Sequence, residues 1–189
     1  LPRVIAVANQ KGGVGKTTTA VNLAACLADL GYRTLVVDLD PQGNATMGSG
    51  VDKNGVELGV YDWLMGHRRL AEVIQRCPTG YEITPANIDL TAAEVELMNV
   101  ERREFRLREA LVEAEGRYDY VIVDCPPSLN MLTVNALMAS HGVLIPMQCE
   151  YYALEGLSAL LDTIEGVRRR GNAGLEIEGI LRTMYDPRN

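Results

Sequence analysis

Short, nearly uninterrupted apolar runs recur along the chain and are separated by longer segments with helical periodicity. The clearest runs are VIAVAN, TLVVDLD, YDYVIVDCPP and GVLIPMQ, which predict strands at 4–9, 34–40, 118–127 and 142–148. These runs lack the apolar–polar alternation of a half-solvated strand, so they are typical of a sheet covered on both faces. Further strands are expected at YEITPA and LEIEGILRTMY.

Helical patterns fill the intervals between these strands. TTTAVNLAACLADLGYR carries an apolar stripe that ends at Gly31, a typical helix stop. The run 91–115 predicts one long helix, supported by an i, i+4 pair between Glu104 and Arg108. Other helices are expected at VYDWLMG, LAEVIQR, LTVNALMAS and LEGLSALLDTIEGVRRR. This alternation favours an α/β fold: a doubly wound, mostly parallel sheet with helices on both faces.

Composition and charge narrow the class of protein. With 189 residues, 47% hydrophobic and 23% charged, the chain is expected to form a single domain over 1–189. A net charge of −7 argues against a broad basic nucleic-acid surface and leaves room for a local patch. No apolar run approaches the ~20 residues of a membrane span. The four cysteines have neither C-x-x-C nor metal-ligand spacing, which indicates reduced thiols in a cytosolic protein.

The glycine-rich segment NQKGGVGKTTT joins the first strand to the first helix. It differs from the phosphate-binding pattern G-x-x-x-x-G-K-[ST] at one point, because Gln10 stands where the first glycine belongs and Lys11 follows it. Glycines let a backbone approach phosphate closely, and a helix N-terminus favours an anion. Lys16 is therefore expected to reach the phosphates, and the Thr17 hydroxyl suits Mg²⁺.

Carboxylates follow two of the predicted strands. Asp38 and Asp40 end the second strand, and Asp124 ends the strand YVIVD. Ligands of parallel α/β sheets bind beyond the carboxyl ends of the strands, so these side chains are expected beside the glycine loop. Such carboxylates can bind Mg²⁺ or orient an attacking water. Considered alone, the pair before Pro41 also fits a solvated turn.

The four motifs KGGVGKTT, DLDPQGN, DCPPS and PMQCEYYALEG occur in that order, and together they resemble the ParA/Soj partition ATPases. These belong to the MinD/ParA group of P-loop NTPases with a deviant Walker-A loop, and the resemblance runs from Val4 nearly to the end. It implies an ATP-dependent dimer in which two chains enclose two nucleotides. Lys11 would contact the phosphates bound by the other chain, while Lys16 acts within its own chain.

The resemblance also implies a set of site residues, with ATP or ADP and Mg²⁺ as cofactors. Asp40 would position the hydrolytic water, and with the two lysines it forms the expected catalytic set. Thr17, Asp38 and Asp124 would form the magnesium shell. The expected nucleotide-binding residues are Lys11, Gly12, Gly13, Val14, Gly15, Lys16, Thr17 and Thr18.

The implied partners are a second copy of the chain, a ParB-like stimulatory protein and nonspecific DNA, with no membrane. The candidate DNA contacts are Arg168, Arg169, Arg170 and Arg188. The resemblance implies a bacterial protein that acts in chromosome or plasmid segregation and is cytoplasmic and nucleoid-associated. It also places the family's C-terminal portion, including adenine contacts and part of the DNA surface, beyond residue 189.

Three alternatives stay open. A metabolic ATP-dependent synthetase on the same scaffold would need a small-molecule pocket and turnover without DNA. A MinD-like positioning ATPase would need a C-terminal amphipathic membrane helix. A nucleotide-binding module without useful hydrolysis is the third. The cysteine spacing argues against an iron–sulfur reductase.

Overall fold

One seven-stranded sheet organises the chain, as the computed structural model shows for residues 1–149 and 153–186, excluding the side chains of 153–155. The strands are β1 Arg3–Val7, β2 Thr34–Asp38, β3 Gln75–Arg76, β4 Glu82–Thr84, β5 Tyr120–Asp124, β6 Gly142–Gln148 and β7 Glu176–Thr183. Their order is β3-β4-β2-β5-β1-β6-β7, and every neighbouring pair is parallel except β3 with β4. The predicted mostly parallel sheet is confirmed.

Helices cover the sheet on both faces, as predicted. They are α1 Lys16–Asp29, α2 Asn44–Gly48, α3 Val60–Leu64, α4 Leu70–Val73, α5 Leu90–Leu97, α6 Arg106–Ala110, α7 Met131–Ala139 and α8 Ala153–Arg170. Apolar residues of α1 and α2 pack on one face of the sheet, and those of α3 to α8 pack on the other. None of the helices in the described ranges is both long and apolar enough to span a bilayer.

The continuous apolar runs are explained by burial on both faces. In β5, Ile122 packs into the cluster beneath α1, while Val121 and Val123 belong to the larger cluster on the opposite face. Successive side chains of a strand point to opposite faces, so a strand buried on both faces must be apolar at every position. In β2, Val36 lies on the α1 face with apolar neighbours on the other.

The prediction of one helix over 91–115 is wrong. α5 ends at Leu97 and α6 begins at Arg106, and between them Arg102 adopts the left-handed φ of 54°. The buried amide of Asn135 in α7 stabilises this break: its Nδ2 donates to the Arg103 carbonyl at 2.8 Å, and its Oδ1 accepts from Leu107 N at 3.1 Å. A partner 28 residues away in the chain thus replaces hydrogen bonds that a continuous helix would have made.

The charge pair expected in that helix is also replaced. Among the ion pairs of the described residues, Glu104 lies 3.7 Å from Arg103 and does not pair with Arg108. Arg108 instead donates to the Gly171 carbonyl at 3.2 Å. Glu104 lies in the short 3₁₀ turn Arg103–Phe105, before α6 begins, so the i, i+4 spacing of one continuous α-helix does not apply to this pair.

The four cysteines are free in the structure. Cys77 and Cys125 are buried in the two apolar clusters, whereas Cys26 and Cys149 are exposed. Burial raises the pKa of the Cys77 thiol to about 11. The buried pair therefore acts as small apolar side chains in the core.

α8 runs between two edges of the sheet. At the carboxyl edge the parallel strands end, and at the amino edge they begin. β6 and β7 are parallel neighbours, so the helix that joins them must return from the carboxyl edge to the amino edge. The last turn of α8 contains Arg168, Arg169 and Arg170. These arginines consequently lie at the amino edge, on the side of the sheet opposite to the glycine loop.

Candidate functional site

The sheet brings the three predicted polar segments together at the carboxyl edge. β5 lies between β1 and β2, and the register pairs Asp124 with Val7 on one side and with Asp38 on the other. The glycine loop follows β1 directly. Segments more than 100 residues apart in the chain therefore meet at one place.

The glycine loop has the backbone conformation that its glycines permit. Gly13 and Gly15 have φ values of 73° and 88°, in the left-handed region that other residues rarely adopt. A Cβ added to Gly12 would meet no atom within 4 Å, so this position leaves the loop surface open. α1 begins at Lys16, and its N-cap residue, Gly15, provides no side-chain hydrogen bond to the first turn. Its first N–H groups are thus available to an anion, as phosphate binding requires.

Lys16 lies across the loop and is almost buried, with 7% of its surface exposed. Its Nζ donates to the carbonyl oxygen of Lys11 at 2.8 Å. Burial lowers the pKa of Lys16, and the nearby carboxylate of Asp124 opposes that shift. The ammonium group is therefore fixed inside the loop by a backbone acceptor.

Asn9 is a site residue that the sequence analysis did not identify. Its buried side chain donates to the Pro146 carbonyl at 2.8 Å and accepts from the backbone N–H of Lys11 at 3.0 Å. It thus fixes the start of the glycine loop to the end of β6. An asparagine that accepts from the N–H two residues later is a recognisable turn signal, and this local pattern was the available clue.

Thr17 and Asp124 form the polar end of the site. The Thr17 hydroxyl donates to Asp124 Oδ2 at 2.7 Å. Asp124 Oδ1 is buried and has no hydrogen-bond partner among the described residues. Burial raises the pKa of Asp124 to about 7, and repulsion from the carboxylate of Asp38 contributes to the shift.

These residues fit the Mg²⁺ ion that the fold family implies. A buried carboxylate oxygen without a donor, next to a threonine hydroxyl, offers the oxygen ligands that Mg²⁺ prefers. Within the described ranges, no group of three or more His, Cys, Asp and Glu side chains could hold a metal ion by itself. Two adjacent oxygen ligands suit an ion that binds few protein groups and takes its remaining ligands from phosphate and water.

Asp38 is wholly buried and makes three hydrogen bonds. Its Oδ2 accepts from the N–H and hydroxyl of Thr46 at 2.8 and 2.7 Å, and its Oδ1 accepts from Asp40 N at 3.1 Å. Burial raises the pKa of Asp38 to about 6, and the bonds from Thr46 oppose this shift. Asp38 thereby connects β2 to α2 and to the Asp40 turn. Its place in a magnesium shell stays a prediction.

Asp40 lies in a tight turn beyond the strand, since β2 ends at Asp38 and not at residue 40 as expected. Its Oδ1 accepts from Gln42 N at 2.9 Å, and its carbonyl accepts from Gly43 N at 2.8 Å. Among the described residues, no donor is bonded to its Oδ2. The turn therefore fixes the carboxylate and keeps one oxygen available.

The candidate DNA contacts differ in their surroundings. Arg168 donates to the Leu175 carbonyl at 2.8 Å and is bonded to Glu165, so its guanidinium is used within the chain. Arg169 and Arg170 are exposed. Arg188 lies outside the described residues.

Comparison with known proteins assigns the chain to a family. The model of the family described as AAA domain matches residues 2–177. The chromosome partitioning protein ParA of Myxococcus xanthus is 54% identical, over 98% of this chain and 66% of that protein. The sporulation initiation inhibitor protein Soj of Bacillus subtilis is also 54% identical, over 98% of this chain and 74% of its own length.

Solved structures with the same fold include nucleotide-binding and partition proteins. A cobyrinic acid a,c-diamide synthase from Mycobacterium smegmatis, with bound ADP and magnesium, superposes with a TM-score of 0.97 and 44% identity, over 100% of this chain and 77% of that chain. A plasmid partition protein from Borrelia burgdorferi gives 0.89 and 26%, over 100% and 82%. The chain therefore belongs to the AAA domain family and to the ParA/Soj chromosome-partitioning proteins.

Proposed function

We propose that the chain is an ATP-dependent switch of the ParA/Soj type, which binds ATP with Mg²⁺, dimerises and hydrolyses ATP to ADP and phosphate. The observation that carries the proposal is the meeting of Lys16, Thr17 and Asp124 at one glycine loop. In this role it would act in chromosome or plasmid segregation. The 54% identity to ParA and Soj proteins supports that context.

The glycine loop and the start of α1 would bind the phosphates through backbone N–H groups, with Lys16 as the cation of the same chain. Thr17 and Asp124 would hold Mg²⁺, with Asp38 behind them. When bound, the ion neutralises phosphate charge. The structure with ADP and magnesium from Mycobacterium smegmatis supports this cofactor pair.

Asp40 would orient the water that attacks the terminal phosphate. Its Oδ1 is occupied by Gln42 N, so Oδ2 is the oxygen that can accept a hydrogen bond from that water. A positioned general base contributes about 10²- to 10⁴-fold to a rate. Asp40→Asn should therefore reduce phosphate release by about that factor while the chain still binds nucleotide.

Lys11 would supply a second cation to the nucleotide bound by the partner chain. Its peptide is fixed on both sides, because its N–H donates to Asn9 and its carbonyl accepts from Lys16. A cation delivered from another chain stabilises the charge on the transferred phosphoryl group, as an arginine finger does. Hydrolysis would then depend on dimerisation.

Nonspecific DNA would bind at the amino edge, where Arg169 and Arg170 are exposed. With a net charge of −7, such binding must rely on a local patch and should weaken steeply as salt increases. Arg188 and a ParB-like stimulatory partner belong to the same proposal, as does a cytoplasmic, nucleoid-associated location.

Sedimentation velocity with ATP, with ADP and without nucleotide tests the proposal. ATP alone should convert monomer to dimer, and Lys11→Ala should abolish both dimer and hydrolysis while ADP still binds. Arg76→Ala is the control, because this side chain is 90% exposed and lies on β3. Hydrolysis by a chain that stays monomeric, or an unaffected Lys11→Ala, would contradict the assignment of Lys11.

A synthetase is the second candidate, favoured by the 44% identity to the cobyrinic acid a,c-diamide synthase structure. It predicts ADP release that requires an added carboxylic acid substrate and is indifferent to dimerisation. A coupled ADP assay with and without such acids separates the two, since a partition switch should show no acceptor dependence.

A further inference from the structure

The end of β7 lies against the glycine loop. The hydroxyl of Thr183 donates to the carbonyl of Val14 at 2.8 Å, although 169 residues separate them. Its methyl carbon lies 3.5 Å from the position that a Cβ on Gly15 would occupy. Thr183 therefore donates a hydrogen bond to the Val14 carbonyl and places its methyl group on the side of Gly15 where a Cβ would stand.

This contact fixes the direction of a backbone donor. The peptide bonds of the described chain are all trans, so a carbonyl and the N–H that follows it point in opposite directions. Because the Val14 carbonyl is turned towards Thr183, the Gly15 N–H is turned away from β7. Among the hydrogen bonds of the described residues, that N–H has no acceptor. It is therefore free to donate to a ligand.

Thr183 is itself held in position by the sheet. The register of β7 with β6 pairs it with Gln148, and β6 is in turn bonded to β1, from which the glycine loop starts. The next residue, Met184, has a φ of 48° and turns the chain out of the strand. Thr183 thus contacts the loop from a strand that is hydrogen-bonded to β6.

We infer that Thr183 is a positioning residue that keeps the Gly15 N–H directed at the phosphates of a nucleoside di- or triphosphate. The inference rests on the proposed function, since it requires that the loop bind such a ligand. Without the hydroxyl, the Val14–Gly15 peptide can rotate. A rotated peptide presents a carbonyl oxygen to the phosphates, which repels them.

Two substitutions separate the hydroxyl from the packing of the side chain. Thr183→Val retains the branched shape and removes the donor, whereas Thr183→Ser retains the donor and removes the methyl group. Thr163→Val in α8 is the matched control, because its hydroxyl donates to the Ala159 carbonyl at 2.9 Å within the same helix. All three are made in the 189-residue chain.

The experiment combines calorimetric titration with ADP and Mg²⁺ and the amide NMR signal of Gly15 in the ligand-free chain. One lost hydrogen bond should weaken ADP binding by about three- to tenfold in Thr183→Val. Thr183→Ser and Thr163→Val should stay within about twofold, below the effect of one lost hydrogen bond. The Gly15 signal should move in Thr183→Val and stay in place in the control.

Two results would overturn the inference: an unmoved Gly15 signal with unchanged ADP affinity in Thr183→Val, or equal weakening by valine and serine, which would show packing alone. Failure of the parental chain to bind ADP would overturn the proposed function instead, and the NMR measurement on the ligand-free chain keeps the two cases apart.

Discussion

The Thr17 hydroxyl donates a 2.7 Å hydrogen bond to Oδ2 of Asp124, while Oδ1 of the same carboxylate is buried and has no donor among the residues that the structure describes. Burying a carboxylate that lacks full hydrogen bonding is costly. The cost is increased by the neighbouring carboxylate of Asp38, which is itself wholly buried. We therefore expect this carboxylate to reduce the stability of the ligand-free chain.

Asp124→Asn should separate the effect of this carboxylate on stability from its proposed role in Mg²⁺ binding. In nucleotide-free protein with a chelator, removing the buried charge should raise the free energy of unfolding by about 1 kcal/mol, as relief of a destabilised site commonly does. The same variant should lose the Mg²⁺ dependence of ADP binding. Urea unfolding and ADP titrations with and without Mg²⁺ measure both. Asp29→Asn, on the exposed end of α1, should change neither. A less stable variant that retains its Mg²⁺ dependence would contradict this interpretation.

Gly43→Ala should impair hydrolysis more than nucleotide binding. Gly43 has a φ of 63°, and an added Cβ would lie 2.9 Å from the Ala86 carbonyl oxygen. The turn that carries Asp40 must shift to accommodate it, at a cost of about 1–3 kcal/mol. Thermal unfolding, phosphate release and ADP affinity measure the three effects. Gly55→Ala, where a Cβ meets nothing within 4 Å, should change stability by less than about 0.5 kcal/mol. Equal loss of binding and hydrolysis in Gly43→Ala would argue against a specific role for the turn.

Asn135→Leu tests whether the break between α5 and α6 depends on one amide. The substitution keeps a similar volume but removes the acceptor of Leu107 N and the donor to the Arg103 carbonyl. Leaving buried backbone groups without partners should cost about 2–4 kcal/mol in the free energy of unfolding. Urea denaturation measures the loss, and Asn99→Leu on the exposed turn is the control. A loss below about 1 kcal/mol would show that water or a continuous helix replaces these bonds.

Tyr118→Phe should flatten the alkaline part of the stability profile. Burial, with the hydrogen bond to Glu82, raises the pKa of the Tyr118 phenol. The unfolded chain then loses its proton first, so the stability contributed by this group is present below pH about 10 and is lost as the pH rises further. Urea midpoints between pH 8 and 11 should fall less steeply in Tyr118→Phe than in the parental chain. An identical slope would show that other groups cause the alkaline loss.

Local pattern predicted the sheet well, because strands such as β5 are a continuous apolar run up to the aspartate that ends them, and few other structures require this. The glycine loop and Asp124 could be placed because strand ends and helix starts concentrate polar chemistry. The α5–α6 break could not, since it depends on Asn135 from another helix. Asn9 and Thr183 make their decisive contacts with residues 137 and 169 positions away, which no local window contains.

α8 runs from the carboxyl edge of the sheet back to the amino edge, and this path has a consequence for how nucleotide would control DNA binding. Five-residue strands at about 3.3 Å per residue put roughly 17 Å of hydrogen-bonded sheet between the glycine loop and Arg170. Bivalency would connect the two sites without any distortion of the sheet: in the proposed dimer, two chains joined by nucleotide would present two basic ends to one duplex, and the effective concentration of the second end would raise avidity by about 10²- to 10⁴-fold. Nucleotide would then control DNA affinity through the number of chains that it links, without a conformational change in either chain.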